Sequence, residues 1–320
     1  MTATDTRRAL LIVNPAARRG SRKLEAAADA IEREGYHCDV LLTSEQGDAA
    51  QAVAAEALRY DVIFTLGGDG TVMEVLGAIP EEGPPVGILQ GGTGNLIAKA
   101  LHIPRSVRRA VRALSRGRSA RIDLGRLPDG RRFAVAAGVG VDASMVAETP
   151  RGLKRRLGVL AYVVTGTRAL LRFERFRVRI SVDGRVREQV ANAVLVANFG
   201  ALLHDLITLG DGISYDDGTL NVCVFAPATI RDSFRVARRL LRRDFRPDPC
   251  IWYDAGRQII VETFPPRPAQ ADGEMLGDTP LSIEVEPLRG RVLLPGGKRD
   301  RHPRRRDDRP EALTRYHSSQ

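Results

Sequence analysis

The residues most able to do chemistry stand in Leu66-Gly67-Gly68-Asp69-Gly70-Thr71, between an apolar run and an amphipathic one. Glycines at such a turn let the backbone bend sharply and approach a ligand without Cβ clashes. The exposed amides and the helix N-terminus that follows form an anion cradle suited to nucleotide phosphates. Asp69 is a poor direct neighbour for phosphate, so its place there implies a mediating Mg²⁺ or a hydrogen-bond network. Taken alone, the segment also fits a plain strand-to-helix turn with a capping aspartate. It is repeated in kind by Gly91-Gly92-Thr93-Gly94-Asn95, again between a strand pattern and a helix pattern. Thr71 and Thr93 offer hydroxyls to a phosphate, and Asn95 is placed to cap its own helix. On neighbouring strands, the two turns would share one crevice beyond the carboxyl edge of a sheet. Asp272-Gly273-Glu274 supplies turn-bound acids in an otherwise apolar β region, and taken alone fits a plain surface turn.

The elements that must position these residues alternate at first. Ala9–Val13, Cys38–Thr43, Val62–Leu66 and Val86–Leu89 read as short buried strands. Between and after them, Leu24, Ala28 and Ile31 recur at helical spacing, Asp48 opens an alanine-rich helix, and Val72–Ile79, Asn95–Leu101 and Ser106–Leu114 continue the pattern. Residues 7–118 are therefore expected to form a doubly wound, mainly parallel α/β domain. Beyond residue 118 the pattern turns to β. Pro128-Asp129-Gly130 and Asp183-Gly184 are hairpin signals. Ala193–Ala197, Leu220–Phe225, Gln258–Glu262, Leu281–Glu286 and Arg291–Leu294 read as further strands. Residues 119–297 are expected to form an antiparallel β-sandwich with helical insertions near 157–172 and 229–243, its last strand free to return to the first domain. Residues 298–320 read as a charged, disordered tail.

Composition narrows the class. Of 320 residues 43% are hydrophobic, enough for ordinary cores, and the formal net charge is +10, favouring an anionic partner. Cys38, Cys223 and Cys250 are scattered, which fits reduced cytosolic thiols better than a disulfide frame. No apolar run approaches the roughly 18 residues of a membrane span. The five histidines show no metal spacing, and no zinc site or aromatic-interleaved basic motif suggests specific nucleic-acid binding.

The ordered series VNPAARRGS, TLGGDGTVMEVL, GGTGNLIAKAL, RIDLGRL, FAVAAGVGVDASMV, ISYDDGTLNV and ADGE resembles the diacylglycerol kinase catalytic family, over roughly residues 7–295. GGDGT by itself is shared with NAD kinases, but the Asn-Glu dipeptide that those use to grip a nucleoside is missing from the chain. The resemblance implies an ATP- and Mg²⁺-dependent kinase acting on a lipid alcohol, diacylglycerol first, with sphingoid bases or ceramide as alternatives. It implies an NAD kinase/diacylglycerol kinase-like first domain and assigns roles by position. Thr43, Gly67, Gly68, Asp69, Gly70, Thr71, Thr93 and Asn95 fall at or beside the nucleotide-binding positions. Asp123 matches an acid that joins a metal–water network at the site, and Asp69 is a second candidate for contact with the metal. Asp217, with the carbonyls of Ser214 and Thr219, matches a structural Mg²⁺ site. Glu274 matches the general base, with Asp272 the other candidate. Two positions depart from the pattern: Met73 precedes Glu74 where many bacterial relatives have asparagine, and Leu96 follows Asn95 where some relatives have an acid.

A lipid kinase must meet a bilayer without crossing it. Arg151, Lys154, Arg155 and Arg156 ahead of the amphipathic stretch 157–173, and the arginine-rich helix near 229–243, are the candidate contacts for peripheral membrane association of a cytoplasmic enzyme. Homodimerisation is left open. A soluble-metabolite kinase and a non-catalytic nucleotide-binding protein are the rival readings.

Overall fold

The computed structural model describes residues 6–15, 20–92, 94–140, 175–202, 207–210 and 213–296. Strands β1 (Arg7–Val13), β2 (Tyr36–Leu42), β3 (Val62–Gly67) and β4 (Val86–Gln90) lie parallel in the order β2-β1-β3-β4. Every residue of β3 and β4 is buried, as a parallel strand covered on both faces requires. Helices α1 (Gly20–Arg33), α2 (Asp48–Glu56), α3 (Asp69–Ala78), α4 (Leu96–Ala100) and α5 (Val107–Ser115) supply the cover, α1 packing beside α5 and α2 beside α3. In α5 the buried residues are Val107, Ala110, Val111 and Leu114, the i, i+3, i+4, i+7 stripe of a half-buried helix.

The rest of the chain is mostly antiparallel. β5 (Arg118–Arg126), β6 (Arg132–Phe133), β7 (Ala136–Val139), β8 (Phe176–Val182), β9 (Arg185–Ala191), β10 (Ala193–Ala197), β11 (Ala201–Leu202), β12 (Ile207–Thr208) and β13 (Leu220–Phe225) precede helix α6 (Ile230–Arg242). β14 (Ile251–Gly256), β15 (Gln258–Phe264), β16 (Pro268–Ala271), β17 (Glu274–Asp278) and β18 (Leu281–Leu294) follow. One six-stranded sheet runs β14-β13-β10-β7-β16-β17. It packs on the far part of a ten-stranded sheet that begins with the parallel strands and continues through β18, β15, β8 and β9. Val178, Ile180, Ile259, Val261 and Ile283 from one sheet meet Val194, Val196, Val222 and Val224 from the other in a single apolar core. Each such side chain contributes about 1.5–3 kcal/mol by full burial, so this interface holds the sandwich together. On the outer face of the six-stranded sheet, Leu195, Cys223 and Phe225 lie in one apolar cluster with Val236 of α6.

One detail differs from the sequence reading. Leu281–Glu286 and Arg291–Leu294 are not separate strands but parts of β18, which pairs with β15 at one end and with β5 and β4 at the other. Its irregularity between Glu286 and Gly290 holds Leu288 at φ 53°. The parallel and antiparallel parts therefore share a strand and a sheet. The expected helix at 157–172, the basic cluster at 151–156 and the tail at 298–320 lie outside the described residues.

Candidate active site

The two glycine turns touch. Gly91 and Gly92 both donate their amides to the Gly67 carbonyl, at 3.0 and 2.9 Å. A Cβ on Gly92 would come within 2.7 Å of the Gly68 Cα, and one on Gly91 within 2.9 Å of the Gly67 nitrogen. Only glycine at these positions lets β3 and β4 end in turns stacked so closely. Thr71, in the first turn of α3, is buried, and its Oγ1 accepts from Asn14 Nδ2 at 3.4 Å. Asn14 also donates its amide to the Leu66 carbonyl, fastening the end of β1 to the same turn. Thr43 is buried at the end of β2, its amide donating to the Val13 carbonyl at 2.9 Å. Thus Thr43, Gly67, Gly68, Gly70 and Thr71 sit along one carboxyl edge of the sheet. Thr93 lies outside the described residues.

Asp69 ties the turns together. Its Oδ1 accepts from the Ile97 amide at 3.1 Å, so the carboxylate from α3 caps α4. Burial pushes its pKa upward, against the amides of Leu96 and Ile97 and the charge of Lys99. The hydrogen-bond network that the sequence offered as one reason for an acid here is therefore present. Asn95 does not cap α4 as expected: it adopts a left-handed conformation and its side chain makes no cap bond. Instead it folds back on its own turn, taking the Gly92 amide at 3.1 Å and giving Nδ2 to the Gly92 carbonyl at 2.7 Å. With Asp69 already at the helix end, Asn95 is left to close the loop.

The acids of the second domain arrive on a hairpin. Asp272 and Gly273 link β16 to β17 with φ of 48° and 91°, the two positive values of a type I′ turn. The Asp272 carboxylate accepts three backbone amides, from Ala134 at 2.7 Å and from Val135 and Ala136 at 3.0 Å. Burial nonetheless pushes its pKa up to about 6, and the nearby negative charge of Asp69 adds to the push. Glu274 is exposed and opens β17. A Cβ on Gly70 would lie 2.7 Å from Glu274 Oε1, so this carboxylate rests over the first glycine turn. One hairpin thus carries an acid locked by amides and an acid free to face a ligand. Glu74 of α3 joins them; burial, and the charge of Glu274, raise its pKa while its Oε2 accepts the Gly47 amide at 3.2 Å.

Asp123 occupies a different place. Fully buried, it accepts the Gly218 amide on Oδ2 and the Leu288 amide on Oδ1, both at 2.7 Å. Burial raises its pKa, and Asp217 and Asp216 raise it further. The structure therefore sets Asp123 against the 216–218 loop and the β18 irregularity, where its carboxylate binds backbone. Asp217 Oδ1 accepts the Thr219 amide at 3.0 Å and hydroxyl at 2.8 Å, and Ser214 Oγ bonds to Asp216. Among the described residues no three acidic, histidine or cysteine side chains converge as a metal site. An Mg²⁺ here would take one exposed carboxylate, backbone carbonyls and waters, an all-oxygen set that suits this hard cation. The donors of Ser214, Asp217 and Thr219 fit it.

Asn198 and Lys23 carry signals that sequence reading passed over. Asn198, wholly buried, gives Nδ2 to the carbonyls of Asp123 at 2.7 Å and Ala134 at 2.9 Å. Because the Ala134 amide donates to Asp272, the network runs unbroken from the 216–218 loop to the 271–274 hairpin. A polar residue closing the all-apolar run Ala193–Ala197 was the available clue. Lys23 of α1 donates Nζ to the Gln90 carbonyl at 2.7 Å, bringing a cation beside the second turn.

Stacked amide turns on a parallel sheet are thus faced by a carboxylate from an antiparallel sandwich. Residues 8–127 match the family model of the diacylglycerol kinase catalytic domain, and residues 134–294 match the YegS C-terminal NAD kinase beta sandwich-like domain. The chain belongs to the diacylglycerol kinase catalytic family. A diacylglycerol kinase of Staphylococcus aureus is 28% identical over 288 residues, 87% of this chain and 89% of that one. A Synechocystis protein of uncharacterised function is 29% identical over 303 residues, 89% of this chain and 70% of its own. The crystal structure of a diacylglycerol kinase from Bacillus anthracis superposes with a TM-score of 0.69 at 25% identity, covering 92% of this chain and 99% of that one.

Proposed function

We propose that this kinase transfers the γ-phosphate of ATP to a lipid hydroxyl, with diacylglycerol as the first substrate and phosphatidic acid as the product. The observation that carries the reading is the Glu274 carboxylate lying over Gly70, an acid from one domain at the anion cradle of the other. The amides of the 68–71 turn hold the phosphates, the second turn braces it through the Gly67 carbonyl, and Thr43 and Asn95 shape the nucleotide end of the crevice. Glu274 takes the acceptor's proton as the hydroxyl oxygen bonds to the γ-phosphorus. The bond from that phosphorus to the bridging oxygen breaks, and ADP leaves. A general base placed in this way contributes about 10²–10⁴-fold. Asp272 holds the hairpin at its height, and Asp69 keeps α4 docked on α3. Bound Mg²⁺ supplies charge neutralisation at the phosphates and, at Asp217, a brace for the loop.

Labelled ATP with Mg²⁺ and a panel of detergent-dispersed diacylglycerols, sphingoid bases and ceramides tests the proposal, with products identified by mass. Phosphatidic acid as the dominant product is expected. Transfer to NAD alone, or to none of the lipids, would overturn it.

A further inference from the structure

Helix α6 buries Ser233, Val236 and Ala237 and turns its other side to solvent. That side carries Ile230 at 66% and Phe234 at 50% exposure, one helical turn apart. Two large apolar side chains at i and i+4 make a stripe, not a scattered pair. Arg231, Arg238 and Arg242 border it; all three are exposed, with no acid at ion-pair distance among the described residues. The acids on and just after the helix are already engaged: Arg235 pairs with Asp232 and Asp248, and Arg239 with Asp244 and Asp248. These pairs, with the Thr229–Asp232 capping box, fix the rotation of the helix and so the direction in which the stripe points.

We infer that this face of α6 docks on an anionic membrane surface. Ile230 and Phe234 enter the boundary between headgroups and acyl chains while Arg231, Arg238 and Arg242 meet lipid phosphates. A helix lying in the interface uses this combination, an apolar strip flanked by arginine. A nucleic-acid backbone would engage the arginines but gives an exposed isoleucine no role. The location suits the task. β12 packs on α6 and β11 on α4, the helix that the second glycine turn opens. A single short hairpin therefore separates the docking face from the flank of the crevice. The inference deepens the lipid-kinase reading, naming the surface on which the enzyme meets the bilayer that holds its acceptor.

Vesicle flotation without ATP tests it. The full chain is expected to float with phosphatidylcholine vesicles containing phosphatidylglycerol and to stay behind with phosphatidylcholine alone. Each arginine near an anionic leaflet is worth about fivefold in affinity, so Arg238→Gln with Arg242→Gln should weaken binding by about 25-fold at low salt. Ile230→Asn with Phe234→Asn should weaken it at least about tenfold. Phe234→Trp, which keeps the apolar bulk, should float and show a blue shift beyond that of the native Trp252. Unchanged flotation of either double variant, an unshifted Phe234→Trp emission, or retention of a random DNA duplex in place of vesicles overturns the inference. Phosphorylation of detergent-dispersed lipid by a chain that ignores vesicles would sink this inference and leave the kinase reading standing. Flotation through α6 with no lipid phosphorylated would do the reverse.

Discussion

The crevice at the glycine turns and the loop around Asp123 both pair an anchored aspartate with an exposed acid, but to different ends. At the crevice, Asp272 is held by three amides and Glu274 stands free above a cradle of further amides. At the loop, Asp123 is held by the amides of Gly218 and Leu288, while the exposed Asp217 turns back on Thr219. Anchored carboxylates here set backbone geometry; what the exposed partner can do depends on what faces it. Beside a phosphate cradle it can take a proton. Beside carbonyls it can hold a cation.

The sharpest way to break this contrast is to neutralise the two acids of the hairpin separately. Glu274→Gln should lower kcat by about 10²–10⁴-fold with nucleotide affinity and thermal midpoint unchanged. Asp272→Asn should instead lower the thermal midpoint, because an amide cannot accept all three backbone donors, at a cost of about 1–3 kcal/mol. Wild-type turnover in Glu274→Gln, with a stable but inactive Asp272→Asn, would exchange their roles. Next in size is Gly92→Ala, whose Cβ would meet the Gly68 Cα at 2.7 Å. The atom it meets is backbone, so the turns must part, and ATP affinity should fall about tenfold or more with about 1–3 kcal/mol of stability. Normal ATP binding, by calorimetry, would mean that the stacked turns do not form the nucleotide site.

Asp217→Ala probes the other region. Mg²⁺ added to the nucleotide-free wild type should raise its thermal midpoint by a few degrees, and this gain should vanish in the variant. An equal gain in both would remove Asp217 from metal binding. The smallest effect expected is in pH dependence. Asp272 moves from the ordinary 3.8 to about 6 on folding. The folded chain thus binds this proton more tightly than the unfolded one, and the stability so gained is present in acid and lost as pH rises through about 6. The thermal midpoint of wild type relative to Asp272→Asn should therefore decline between about pH 4 and pH 6. A flat difference would mean that the amides, not burial, govern this carboxyl.

The strand and helix alternation up to residue 118 was legible because buried parallel strands and amphipathic helices write themselves in local sequence. The meeting of the two glycine turns was legible too, since neighbouring parallel strands end on one edge. What local pattern cannot carry is the choice of partner. Asn95 looked like a helix cap, but Asp69, distant in sequence, had already taken that end of α4. Resemblance alone ranks Glu274 ahead of Asp272; the physical difference between them comes from the distant amides of Ala134 to Ala136, which hold Asp272. The amides of Gly218 and Leu288, which hold Asp123, are brought to it only by folding of the sandwich.

β18 has a consequence for how activity begins. The chain is made from its N-terminus, and β4 gains its outer neighbour only when Val292 arrives beside Val86. Until then the nucleotide half has an open sheet edge, and the Leu288 amide that steadies Asp123 has not yet been made. A nascent chain can assemble both glycine turns and still be inert. The seam that completes the enzyme is synthesised after both glycine turns, so a copy halted between them would hold no finished site with which to consume ATP.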